Sequence, residues 1–177
     1  GDLRFADASG FRLIPHEIDE CNRSGTSWIW VRLPELASTN DSIWAYWGNP
    51  LATNPPAWTT NGTVWLPENQ AVWHLEQPGL PYLDSARQHS VVSGTAPATT
   101  AGVIGRGALF NGSSDYLDAG ILDPGQVFTL AAWIKVDPNS TGIQTIYANK
   151  KGGWNTDGLA LYVNTYQTSD HKLLLET

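Results

Sequence analysis

Residues 16–21 read HEIDEC, so Glu17, Asp19 and Glu20 place three carboxylates within four positions. Side chains alternate along a strand, which puts Glu17 and Asp19 on one face and Glu20 on the other. Paired carboxylates on one face are the raw material of acid–base hydrolysis. A retaining glycosidase needs a nucleophile and an acid/base about 5–5.5 Å apart. A third acid on the same face as Glu17 and Asp19 falls at position 21. That position holds Cys21. The array is broken, and the pattern predicts a solvent-facing strand edge carrying two like charges.

Other residue types offer weaker chemistry. His74 follows Trp73 on an apolar run and reads as a structural histidine, while His89 and His171 stand in loops without a spaced ligand partner. No H-E-x-x-H, G-x-S-x-G or phosphate-binding glycine loop occurs. Asp84, Asp115, Asp118 and Asp157 are loop or strand-end acids of the kind that ligate Ca²⁺, which takes six to eight oxygens. The competing expectation is that each Asp bonds its own backbone in a turn. Trp58 and Trp154 lie in Pro-, Gly- and Asn-containing loops and are the candidate stacking platforms for a sugar. Trp30, Trp44 and Trp133 sit in apolar strands and are expected in the core. The single Cys21 excludes an internal disulfide and a multi-cysteine zinc site. Five N-x-S/T sequons occur, at Asn22, Asn40, Asn61, Asn111 and Asn139.

The elements that must position these residues are strands. Helical periodicity is nearly absent, and short β-branched and aromatic runs recur between Gly, Pro, Asn, Asp and Ser. Strands are expected over 13–19, 27–33 and 42–48. Residues 49–62 contain three prolines and read as a turn-rich break. A second rhythm follows, with strands expected over 71–76, 128–136, 144–150, 158–164 and 172–176. Residues 105–120 read as two short strands around the Asn111-Gly112 turn. The organisation expected is a small β module over 1–50, a linker over 51–70 and a second β module over 71–177. The 177 residues have 41% apolar content and a formal net charge of −7. That balance argues against nucleic acid and anionic membrane surfaces as partners, since both need a basic footprint. No apolar run is long enough to span a bilayer.

Residues 71–177 resemble the bacterial laminin-G-like, concanavalin A-like jelly-roll family. The resemblance rests on VWHLE, Asp84-Ser85, GRGALFNGSSDYLDAG and FTLAAWIKV in that order, with the third motif one residue tighter than the family form. It implies an antiparallel two-sheet sandwich, sometimes calcium-binding. Residues 2–50 are similar to the C-terminal part of an uncharacterised bacterial domain, through DLRFADASG, LIPHEID, SWIWVRLPEL and SIWAYWGNP. That domain occurs in surface proteins and in some TolQ/ExbB-type proton-channel proteins. HEIDEC is similar to the E-x-D-x-E strand motif of laminarinase-type glucanases, but departs from it at position 21.

These readings converge on an all-β antiparallel sandwich, an incomplete jelly roll preceded by a smaller β module. The function expected is non-enzymatic: an extracytoplasmic recognition or adhesion module for a glycan or surface polymer. A scaffolding segment of a larger envelope assembly is the alternative, and a polysaccharide hydrolase the weaker one. The chain opens at GDLRF and ends at KLLLET with too few strands for two full sheets. It is therefore expected to be part of a longer polypeptide, completed by further chain or by a neighbouring copy.

Overall fold

The computed structural model describes residues 1–150 and 157–177. The chain is all-β and every strand pairing is antiparallel, consistent with the β-sandwich class expected. It divides into two compact units, residues 1–110 with 115–120, and residues 111–114 with 121–177. Among the described residues no helix is long and apolar enough to cross a membrane.

In the first unit, β1 (Arg4–Ala6) is the centre of a three-stranded sheet between β2 (Leu13–Ile14) and β5 (Trp44–Tyr46). Directly paired residues share a face. Phe5 pairs with Ile14 and Ala45, and this face turns inward: Phe5 and Ile14 are buried. Arg4 pairs with Tyr46, and Ala6 with Leu13 and Trp44, so Leu13, Trp44 and Tyr46 share the outward face. Pro15 separates β2 from β3 (His16–Glu20), so the strand expected over 13–19 becomes two. Pro lacks the N–H that an unbroken ladder needs there.

β3 pairs with β4 (Trp28–Val31) as a hairpin. Its loop is tied by Asn22, whose Oδ1 accepts the Ser24 N–H at 3.0 Å. His16 is buried and meets Phe5 edge-on, with ring centroids 5.3 Å apart. Trp58, on a short 3₁₀ turn (Ala57–Thr59), closes this small core and donates from Nε1 to His16 Nδ1 at 3.3 Å.

Residues 51–70 are therefore not a spacer. Arg32, just past β4, donates to the carbonyls of Thr63 and Leu66 and to both carboxylate oxygens of Glu68, at 2.8 and 3.0 Å. Val64 is buried beneath this turn.

The boundary expected at 71 also falls inside the first unit. Residues 71–76 make one bridge, Trp73 to Asp84, instead of a full strand. β6 (Ser93–Gly94) and β7 (Ala98–Ala101) form within a stretch rich in small residues. β8 (Arg106–Leu109) pairs with β7, and β9 (Leu117–Asp118) pairs with β6. The two strands either side of Asn111-Gly112 thus do not pair with each other.

The second unit contains a sheet of β10 (Ile143–Ala148), β11 (Ala160–Asn164) and β12 (Lys172–Glu176), with β11 central. Leu159, Ala160 and Val163 are its buried apolar residues, and Lys150 pairs with Glu176 at 2.6 Å. The strand expected over 128–136 does not form. The segment is without ladder partners among the described residues, and Trp133 is 76% exposed rather than core.

Candidate functional site

β3 carries a one-residue bulge. Glu17 pairs with Trp30, Ile18 with Ile29 and Glu20 with Trp28, which leaves Asp19 as the extra residue. Trp28 and Trp30 are two apart and share a face, so their partners Glu20 and Glu17 share it as well. Alternation alone places Glu20 opposite; the bulge corrects that. A Cβ built on Gly105 would lie 3.2 Å from Asp19 Oδ2 and 3.7 Å from Glu20 Oε2, so both carboxylates approach one point of backbone. Gly105 also has φ +56°, which L side chains rarely adopt.

This face is not a solvent-facing edge. The Asp19 side chain is 4% exposed, Glu17 15% and His74 13%. His74 stands between them, Nε2 at 3.8 Å from Glu17 Oε2 and Nδ1 at 3.7 Å from Asp19 Oδ1. Glu17 also accepts the Trp65 indole N–H and, at 2.8 Å, the Ser85 hydroxyl. Trp30 stacks on the imidazole with centroids 5.5 Å apart and planes 20° from parallel, and Trp65 lies at 5.6 Å. Asp19 Oδ1, Trp30 Nε1 and His74 Nε2 are buried without a hydrogen-bond partner among the described residues.

Burial and charge act in opposite senses on these groups. Burial pushes the Glu17 carboxyl up, but interactions with His74, Trp65 and Ser85 outweigh it, and Glu17 ends below its ordinary value. Asp19 is raised, by burial first and by repulsion from Glu17 and Glu20, against the attraction of His74. Glu76 is raised by burial and by Asp19. Burial pulls His74 down, but Glu17, Asp19 and Glu76 more than offset it and His74 is raised. The cluster is thus equipped to hold a proton in a largely water-free setting. The signal was present in the sequence as a lone His beside acids, VWHLE and HEIDE, but their distance along the chain hid the contact.

The other candidates disperse. Asp84 is fully buried, and its Oδ1 accepts the Val72 and Ala86 N–H groups at 2.7 and 2.8 Å. Its Oδ2 accepts those of Gln88 and His89 at 2.9 and 2.8 Å. Four donors aimed at one carboxylate fix a loop and leave those oxygens facing positive N–H ends, a poor approach for a cation. Asp118 Oδ1 accepts the Gly120 N–H in a turn. Asp115 is half-buried, and Asp157 is exposed in the other unit. Among the described residues no group of three or more His, Cys, Asp or Glu is disposed to hold a metal. Trp58 is committed to His16, and Trp154 lies outside the described residues.

An aromatic surface lies on β5, where Trp44 was expected in the core. Trp44 is 54% exposed and Tyr46 44%. Trp44 Nε1 donates to the Ala8 carbonyl and Tyr46 Oη to the Gly10 carbonyl, each at 3.2 Å. Arg4, across from Tyr46, has its guanidinium on the carbonyls of Leu3 and Asn54 at 2.7 and 2.9 Å.

Residues 1–67 match the family model of a domain of unknown function (DUF2341). The match covers β1 to β5 and continues through Trp65, beyond the module end expected at 50. No curated protein and no solved structure matches the chain.

Proposed function

We propose that this chain is an extracytoplasmic recognition module that binds a neutral glycan on the outward face of β5. The observation that carries the reading is the pair Trp44 and Tyr46: two rings at alternate positions of one strand, about half exposed, each fixed by a hydrogen bond at its polar tip. Exposed aromatic rings that are already ordered lose little freedom on binding, and they offer an apolar face beside polar groups. The net charge of −7 disfavours an anionic polymer. The motif order of residues 71–177 supports a laminin-G-like identity for the remainder, a class consistent with a surface role.

Screening on a glycan array, followed by calorimetry on the best neutral oligosaccharide, tests the reading. Trp44→Ala should weaken binding about tenfold, equivalent to ~1.4 kcal/mol. Its melting temperature should fall only slightly. Absence of binding to any neutral glycan, or affinity unchanged in Trp44→Ala and Tyr46→Ala, overturns it.

A further inference from the structure

Three carboxylates act on one imidazole in the first unit, and a fourth acts on two of them. Glu17 and Asp19 face His74 from β3, and Glu76 faces it from its own segment. Glu20 faces Asp19 and Glu76 in turn. Trp30 from β4 and Trp65 from the 62–69 turn cover the ring and bring no charge, and Ser85 brings only a hydroxyl to Glu17. The largest charges acting on His74, Asp19 and Glu76 come from one another, Glu17 and Glu20, and Arg106 on β8 follows the Gly105 backbone that lies against Asp19 and Glu20.

We propose that this cluster is a pH-sensitive clasp: protonated His74, held between Glu17 and Asp19, fastens the 72–76 segment onto β3, and loss of the proton loosens it. Without that proton two buried carboxylates face one another across a neutral ring. Unpaired buried charge is among the most destabilising arrangements a fold can contain.

The direction of the pH response follows from each group. His74 is raised above its ordinary 6.5, so its contribution is complete below 6.5 and is lost as the pH climbs through the higher folded value. Glu17 is lowered from 4.5, so its contribution is complete above 4.5 and is lost as the pH falls through its folded value. Asp19 and Glu76 are raised, by burial first, so each weakens the fold on ionising, and the charge on His74 offsets that cost only while the imidazole keeps its proton. The clasp is tightest between about pH 4.5 and 6.5.

Thermal unfolding of the whole chain between pH 5 and 9 tests this, with wild type beside His74→Gln. Wild type should lose several degrees of Tm from about pH 6 to pH 9, and the His74→Gln profile should be markedly flatter. Should His74→Gln fail to fold, NMR titration of the wild-type imidazoles is the second measurement, and only four histidines need assignment. His74 should titrate above 6.5, with the Trp30 indole signal moving at the same pH. Parallel Tm profiles, or a His74 that titrates at or below 6.5, overturn the proposal.

Discussion

At the scale of single residues, the deepest commitment in the first unit is Asp84. Its carboxylate gathers amides from residues 72, 86, 88 and 89, and thereby joins the 71–76 segment to the 84–91 loop. Charge-assisted bonds to a buried carboxylate are stronger than neutral ones, and each abandoned N–H carries its own desolvation penalty. Asp84→Asn keeps the shape but sets an NH₂ against N–H donors. It should lower unfolding free energy by about 3 kcal/mol in urea titration. A change under 0.5 kcal/mol, the size of an ordinary surface substitution, would contradict this. Read as sequence, this same Asp was a calcium candidate. A lone acid in a loop looks alike in both roles until its donors are known.

At the scale of elements, Arg32 joins β4 to the turn behind it. Arg32→Ala removes bonds to two carbonyls as well as the ion pair and should destabilise by about 2 kcal/mol. Glu68→Ala removes only the partly exposed ion pair and should change stability by no more than about 0.5 kcal/mol. Equal effects for the two variants would show that the carbonyl contacts contribute nothing. The strands β4, β5 and β10 to β12 were legible from the sequence as short β-branched and aromatic runs between turn residues. The face of Glu20 was not, because a bulge leaves no mark on local composition and reverses the parity of everything after it. Trp44 was misassigned for a related reason. A strand apolar on both faces does not say which face is covered. The paired residues decide: Ala6, small and buried, lies across from Trp44, while Phe5 fills the inner side.

At the scale of the molecule, the two units differ in how their apolar groups are covered. In the first, buried residues from β1, β2, the 62–69 turn and the 82–91 loop share a core. In the second, the β10–β11–β12 sheet buries Leu159, Ala160 and Val163, whereas Ile121 and Val127 stand 94% and 95% exposed on an unladdered stretch. Backbone amides outside ladders open at little energetic expense. Hydrogen exchange should therefore show residues 126–134 exchanging fast while β11, bonded on both edges, is the slowest part of its unit. Strong protection over 126–134 in the isolated chain would show a partner strand that pairing here lacks. Alternating apolar residues at 128–134 led to the expectation of a strand that does not form, because a strand exists only when a neighbour accepts its hydrogen bonds.

The bulge at Asp19 also has a genetic meaning. With the extra residue removed, an unbroken ladder would pair Glu17, Ile18 and Glu20 with the same Trp30, Ile29 and Trp28. One in-frame codon therefore separates an ordinary hairpin from one bearing a third inward acid, with no other side chain changing face. The deletion variant lacking Asp19 makes the point measurable: relieved of a buried acid that resists ionisation, it should melt higher than wild type at pH 8. A lower melting point there would mean that the register does not close up across the gap.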